Sequence, residues 1–464
     1  MAVARAITGG TVVTAEGSEP LDVYIDDGSI IAVVDPASSA PITATQTVDA
    51  SGLLVMPGMI DVHVHTREPG YTHKEDLVTC TQAAAAGGVT TIFGMPNLDP
   101  PTVSAKYLDE VLDLYAERSI VDYNHNPVPT AGEVPEMAAA GVAAFKIYMV
   151  VDTERTYPHP AGTGIHDHGH LLQMMEDVAE TGRVFMVHPH DQAIMDLVEQ
   201  RFWAEGDRSP QAYAKTLATH NGLIWDAATA VLLQMSEATG CPLHIVHAQT
   251  EGGVEMIRAA KARGVPVTAE VNHWALFLAT WDDVNRLGSY ALSYWVPDHH
   301  REAIWKGIAD GTIDMVSSDH APHTREEKEV GWEDAWAAHT GTPGIQYQLP
   351  LLIDAVDRGV LAIERVAELT SQRPADVFGI GYKGKVAVGR DADIVLVDPK
   401  ETWTITNDSV LSKIGWTPYD GRACTGRVVQ TLVRGSDVYR DGEVVGSPGM
   451  GKHAVPTGES DDDR

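Results

Sequence analysis

The segment Asp61-Val62-His63-Val64-His65 places two imidazoles at i and i+2. On a β-strand those side chains share one face. Histidine is the commonest metal ligand among side chains and a frequent acid or base. Lys146 stands inside the apolar run Ala144-Phe145-Lys146-Ile147-Tyr148-Met149. A buried ammonium is costly, and two chemistries relieve it. It can pair with a carboxylate, or react with carbon dioxide to give a carbamate whose two oxygens can bridge a metal pair. Val184-Phe185-Met186-Val187-His188 ends an apolar run in an imidazole, with His190 just beyond. Leu243-His244-Ile245-Val246-His247 holds histidines three apart, which face opposite sides of a strand. His247, at the C-terminal end, is expected to look inward and His244 to be packed. Asp319, in Ser317-Ser318-Asp319-His320-Ala321-Pro322-His323, closes another apolar run. There it can ligate a metal, act as a base or cap the next helix. His63, His65, Lys146, His188, His247 and Asp319 together offer nitrogen and carboxylate-type oxygen donors. Such a set suits zinc, and also manganese, iron or cobalt.

Positioning these groups requires a scaffold that brings many strand ends together. From Met59 onward, short apolar strands alternate with Ala- and Glu-rich helical stretches. The expected strands are Ile60–His65, Thr90–Met95, Ile120–Asn124, Ala144–Met149, Val184–His188, His244–His247, Val265–Glu270 and Asp314–Ser318. Leu77–Ala86, Leu171–Thr181, Ala227–Thr239 and Gly253–Arg263 carry apolar residues at helical spacing. This alternation points to an α/β fold, a (β/α)8 barrel spanning residues 58–377. An open doubly wound sheet would want a phosphate-binding glycine fingerprint near its first strand, and none is present. The candidate ligands then sit at C-terminal strand ends, where barrel enzymes place their sites. Residues 1–57 read as short strands (Thr11–Thr14, Val23–Ile25, Ile30–Val34). Strand character returns over 378–450 (Lys383–Val388, Asp393–Val397, Val428–Val433, Val438–Arg440). Chain ends often lie close together, so the two are expected to pair into one small β-sandwich. The polar, acidic tail 451–464 reads as disordered.

Composition limits the partners. The chain has 464 residues, with 65 acidic against 33 basic side chains and a net charge of −32. That charge excludes a nucleic-acid binder and an anionic membrane surface. A hydrophobic content of 44% leaves ample material for a folded core. Cys80, Cys241 and Cys424 are too scattered for a disulfide framework, which fits a reducing compartment. No run approaches ~18 apolar residues, and the first residues lack a signal-peptide core. A soluble, cytoplasmic protein is expected.

Taken together, the HxH pair, the strand-4 lysine, the two later histidines and the strand-8 aspartate resemble the binuclear cyclic amidohydrolases of the amidohydrolase superfamily. That group includes dihydroorotases, hydantoinases (dihydropyrimidinases) and allantoinases. The likeness runs over nearly the whole chain, from Gly9-Gly10 to the late stretch Gly384-Lys385-Val386-Ala387-Val388-Gly389-Arg390-Asp391-Ala392-Asp393. Motifs of the dihydroorotase branch match best: His65-Thr66-Arg67-Glu68-Pro69-Gly70, Gly94-Met95-Pro96-Asn97, and Asp319-His320-Ala321-Pro322-His323 with Glu326-Glu327-Lys328. The resemblance implies two divalent ions bridged by N6-carboxylated Lys146. His63, His65 and Asp319 would hold one ion, and His188 and His247 the other. Asp319 would move the proton. It further implies that Arg67, Asn97 and His323 hold a substrate carboxylate, and that 272–275, beginning with Asn272, contacts the ring. The implied partner is a small cyclic amide or ureide, and the implied assembly a homodimer or homotetramer.

The sequence also departs from that branch. Asn272-His273-Trp274-Ala275 and Leu292-Ser293-Tyr294-Trp295-Val296-Pro297 replace its usual pocket segments, and His190 replaces an acidic residue. The tyrosine that hydantoinases carry five residues after the bridging lysine falls on Val151, with Tyr148 nearby. Allantoinases generally lack the arginine at position 67. A neutral cyclic ureide or imide is therefore the alternative substrate. A non-catalytic scaffold of hydantoinase type would have lost metal ligands, and all six are present. Trp274, Trp295, Trp332 and Trp336 are expected in loops on the active-site side, either lining a pocket or packing. His159, His166, His168 and His170 read as a solvated loop or a peripheral metal site.

Overall fold

The structure, a computed structural model, describes residues 2–38, 42–150, 160–291 and 298–457. The parallel strands of the barrel are Met59–Val64, Val89–Gly94, Asp122–His125, Ala144–Tyr148, Val184–His188, Leu243–Ile245, Val267–Asn272 and Met315–Ser317, numbered here as barrel strands 1 to 8. Strands 1, 2 and 3 pair in sequence, as do strands 4 through 8. Irregular backbone closes both seams. The His65 N–H donates to the His320 carbonyl at 2.8 Å, and the Lys146 N–H to the Pro127 carbonyl at 2.9 Å. The strands are buried nearly throughout, as expected where helices cover a parallel sheet. Local signals place the helices. Leu77–Ala86 is an alanine-rich helix that starts where the Asp76 carboxylate accepts from the N–H groups of Val78 and Thr79. Ile60, Val62, Phe93, Met186 and Met315 pack with Phe378 and Ile380, from the segment that leaves the barrel. This apolar cluster includes an edge-to-face Phe93–Phe378 pair. No helix among the described residues is long and apolar enough to cross a membrane.

Both chain ends build the second layer. Ile394–Thr404 pairs antiparallel with Leu54–Pro57 on one side and with Ala423–Val433 on the other. A four-stranded sheet runs Ser29–Val34, Asp22–Asp26, Val3–Thr8, Ala44–Asp49. Ile7, Val12, Val23, Ile25, Val55, Ile394 and Leu432 interdigitate between the two sheets.

Three expectations need correction. Lys383–Val388 is not a strand. Lys383 is 2% exposed, and its ammonium donates to Asp122 (2.6 Å), Asp391 (2.9 Å) and Asp393 (2.7 Å). Those bonds hold the backbone in a turn. The tail is not disordered as far as Thr457. The Tyr123 N–H donates to the Lys452 carbonyl (3.0 Å), and the Ala454 N–H to the Tyr123 carbonyl (2.7 Å). The tail thus extends along barrel strand 3, and its backbone groups are satisfied by a strand rather than by water. Residues 458–464 lie outside the described residues. Finally, 378–450 is more than a sandwich half. Between Thr404 and Ala423 the chain leaves the sheets and packs against the segments that follow barrel strands 1, 7 and 8. There the Trp416 indole N–H donates to the His323 carbonyl at 2.8 Å, Ser412 bonds Glu75, and Tyr419 bonds His273.

Candidate metal centre

The i, i+2 spacing at the end of barrel strand 1 brings His63 and His65 into the same mouth, 0% and 7% exposed. Asp319 follows barrel strand 8, and its Oδ1 lies 3.4 Å from His63 Nε2 and 3.2 Å from His65 Nε2. Each of three imidazoles is held from behind through Nδ1. His63 Nδ1 faces Glu270 Oε1 at 2.6 Å, His65 Nδ1 faces Asn97 Oδ1 at 2.8 Å, and His247 Nδ1 bonds Asn272 Oδ1. An oxygen of that kind can only accept, so each Nδ1 carries the proton and each Nε2 presents a lone pair. Burial keeps His65 and His247 neutral, depressing them to about 3 and about 4.

The lone pairs and the carboxylate therefore converge with no proton between them, an arrangement that a cation relieves. His63–His65–Asp319 and His63–His247–Glu270 each bring their ligating atoms within 4.8 Å of one another. His188 is 1% exposed, and its ring lies 4.9 Å from that of His247. Lys146 is fully buried, and its Nζ has no hydrogen-bond partner among the described residues. Burial depresses its ammonium to about 8, against the pull of Glu270 and Asp319. This donor set fits a divalent metal centre. Backbone strain marks the same place, for Arg67, His247 and Asp319 adopt positive φ of 61°, 56° and 43°. Non-glycine residues in that region cost on the order of 1–3 kcal/mol each and cluster at functional sites.

Glu270 escaped the sequence reading. It stands in barrel strand 7, fully buried, with Oε1 on His63 and Oε2 3.3 Å from His244 Nε2. The available signal was a lone carboxylate in an apolar strand, two residues before Asn272. Its partners became visible only when strands 1, 6 and 7 came together. His244 is packed, as expected, but the opposite-face argument fails. Barrel strand 6 ends at Ile245, and the left-handed turn at His247 lets both imidazoles engage groups of the barrel interior. Glu270→Gln, which loses the charge on the His63 N–H, is expected to weaken zinc binding by about 10–100-fold with the fold retained. Titration against a competing chelator measures it, and unchanged affinity would remove Glu270 from the centre.

The residues expected to touch substrate divide differently. Asn272 is a positioning group: Oδ1 takes the His247 N–H, and Nδ2 donates to Ser317 Oγ at 2.9 Å. Asn97 gives Oδ1 to His65, leaving its amide N–H groups as the end able to meet a ligand. Arg67 is 2% exposed. Its Nε donates to the Pro322 carbonyl at 3.3 Å, and a terminal nitrogen lies 3.1 Å from His323 Nε2. The turn behind it is pinned, since Gly70 has φ +96° and a Cβ there would lie 2.5 Å from the Asp99 carbonyl.

Around the mouth, Trp274 packs 5.9 Å from the His247 ring, and Trp225 lies 5.7 Å from both His188 and His190. Trp336 instead meets Trp203 and Tyr213 edge-to-face, and Trp332 is half exposed. His166, His168 and His170 are exposed, and among the described residues they join no ligand cluster. Val151, His159 and 292–297, with Trp295, lie outside the described residues.

A parallel barrel with imidazole and carboxylate side chains converging at its C-terminal mouth defines the class: an α/β barrel with a candidate metal centre. The model of the amidohydrolase family matches residues 54–445, and the chain belongs to that family. It is 37% identical to a dihydroorotase of Halobacterium salinarum over 393 residues, covering 84% of this chain and 87% of that one. It is 36% identical to an allantoinase of Rubrobacter xylanophilus over 450 residues, 95% of each. Among solved structures it superposes on an L-hydantoinase (dihydropyrimidinase) from Arthrobacter aurescens with a TM-score of 0.91 and 29% identity, covering 98% of this chain and 100% of that one. The chain is thus a cyclic amidohydrolase of the amidohydrolase superfamily.

Proposed function

We propose that this chain is a binuclear metal-dependent hydrolase that opens or closes a ring C–N amide bond, with a carboxylate-bearing ring of dihydroorotate type as substrate. The observation that carries the chemistry is the meeting of the His63 and His65 Nε2 lone pairs with Asp319, with the His247 ring 5.0 Å from that of His63. His63, His65 and Asp319 would hold one divalent ion and His188 and His247 the other, with Lys146, as its carbamate, serving both. When bound, the ions supply Lewis acidity and acidify water toward neutral pH. Asp319 accepts the proton released as water adds to the ring carbonyl. It returns that proton to the departing ring nitrogen, giving an open ureido acid. Glu270, Asn97 and Asn272 fix the ligand rings, and buried Trp274 helps to exclude water.

Arg67 supports the carboxylated substrate. It lies two residues beyond His65 on a pinned turn, and a guanidinium satisfies a planar carboxylate through two parallel hydrogen bonds. Turnover of dihydroorotate, hydantoin, dihydrouracil and allantoin, by zinc-reconstituted protein with bicarbonate present, tests the reading. Arg67→Met is expected to lower kcat/KM for dihydroorotate by about 10–100-fold, the scale of one charged hydrogen bond. Undiminished kcat/KM would discard the carboxylate. A second reading, a neutral hydantoin-type ring, draws support from the full engagement of Asn272 and from the structural likeness to the L-hydantoinase. Turnover of hydantoin but not dihydroorotate would select it.

A further inference from the structure

His323, Glu327 and His339 bring three ligating atoms within 4.8 Å of one another, which could hold a metal ion. A side chain occupies the centre of that cradle. Lys74, 2% exposed, places Nζ 3.0 Å from Glu327 Oε1, 3.3 Å from His323 Nδ1 and 3.1 Å from His339 Nδ1. The Lys74 ammonium links the turn that carries Arg67 to the segment after barrel strand 8.

An ammonium has donors only, so the imidazole nitrogens facing it are acceptors. His323 therefore carries its proton on Nε2. That N–H has a matching acceptor, the Thr340 carbonyl at 2.8 Å. Burial, with Arg67 next, depresses His323 well below the usual histidine range, in keeping with a neutral ring. With that tautomer the Arg67 nitrogen, 3.1 Å from Nε2, meets an N–H rather than a lone pair. Beside Lys74, Glu327 Oε2 also faces His323 Nδ1, at 3.5 Å. Left to that carboxylate, the proton moves to Nδ1, and Nε2 becomes an acceptor that takes up the Arg67 guanidinium.

We infer that Lys74 is a specificity-determining positioning residue: it locks His323 in the Nε2–H form, so that the Arg67 guanidinium is directed to a substrate carboxylate and not to the imidazole. The inference rests on the carboxylated-ring reading for its kinetic consequence, though not for the state of His323. In the zinc-loaded enzyme, Lys74→Met is expected to raise KM for dihydroorotate about tenfold with kcat within about threefold. Lys74→Gln, which keeps a donor between the imidazoles, is expected to recover most of that loss. An unchanged KM overturns the inference. So does a shared loss of kcat and KM that Lys74→Gln does not rescue, because that marks a merely structural lysine.

A second measurement is independent of those variants. Long-range 1H–15N spectra of histidine-labelled wild type, with His323 assigned by His323→Gln, should show Nε2 protonated and Nδ1 bare. A proton on Nδ1 overturns the inference. Should the wild type fail to turn over dihydroorotate, the carboxylate reading falls, and the spectrum still decides the role of Lys74.

Discussion

Lys146→Met is expected to abolish turnover, with kcat down by about 10³-fold or more, while the protein remains folded. The reason is the position of the lysine. It lies at the centre of barrel strand 4, fully buried, on a nitrogen that hydrogen-bonds to nothing among the described residues. A purely structural lysine would have found a carboxylate. Glu270 and Asp319 pull on it only through space, while burial drives it toward the neutral amine. A neutral amine is the form that adds carbon dioxide. The carbamate would exchange a costly cation for an anion that offers two oxygen ligands beside the imidazoles. Methionine keeps the volume and loses both oxygens, and several kcal/mol of transition-state stabilisation go with the metal pair, which sets the 10³-fold scale. Elemental analysis should show fewer than two ions per chain in the variant. Omitting bicarbonate and carbon dioxide during reconstitution should lower wild-type activity. A fully active Lys146→Met would end the bridged-centre reading.

Lys383→Met is expected to destabilise the fold by roughly 3–5 kcal/mol, the cost of breaking a buried ion pair. It should lower the melting temperature by about 5 °C or more. Lys383 is the only ammonium reaching Asp122, Asp391 and Asp393 among the described residues. Arg434 bonds Asp122 from the other side. Asp122 belongs to barrel strand 3, the other groups to the C-terminal layer, and the Lys452 N–H also donates to Asp122 at 2.8 Å. The cluster therefore rivets barrel, sandwich and tail together.

Its pH behaviour follows from the shifts. Burial opposes the Lys383 charge, but Asp393, Asp122 and Asp391 prevail and raise it well above 10.5. Its stabilisation is complete below that value and is lost only as pH rises through the higher folded one. Burial would raise Asp122, but Lys383 and Arg434 hold it below 3.8. Its contribution is present above that value and fades as pH falls through the lower folded one. Asp393 is the carboxyl that burial succeeds in raising. Adding Asp393→Asn to Lys383→Met should consequently restore part of the lost stability. A Lys383→Met protein that melts with the wild type would show the cluster to be energetically idle.

The candidate ligands were legible because strand geometry is local. A period of two puts His63 and His65 on one face whatever surrounds them. A lysine or aspartate inside or ending an apolar run stands out against its own neighbours, which exposed Lys146 and Asp319. Alternation of such runs with helices was enough for the barrel, and two β-rich ends were enough for one sandwich. Local reasoning failed where backbone left regular geometry. The face rule misjudged His244 and His247 because the strand stopped at Ile245. Lys383–Val388 looked like a strand because its residue types suit one, whereas three carboxylates hold Lys383 in a turn.

By itself, then, the sequence determined the fold class and singled out the strand ends whose residues are the candidate metal ligands. Each of these depends on periodicity and on the contrast of a side chain with its neighbours. Only the tertiary structure decided which groups stand behind the ligands: Glu270 on His63, Asn97 on His65, Asn272 on His247, Lys74 on His323. It alone brought Trp416 and Ser412, more than 300 residues from the His63 strand in order, against the segments that carry His323 and Glu75. Hydrogen bonds between strands or layers distant in sequence leave no local trace. Residues such as Glu270 and Lys74 look like ordinary polar positions until folding removes their water and supplies particular partners.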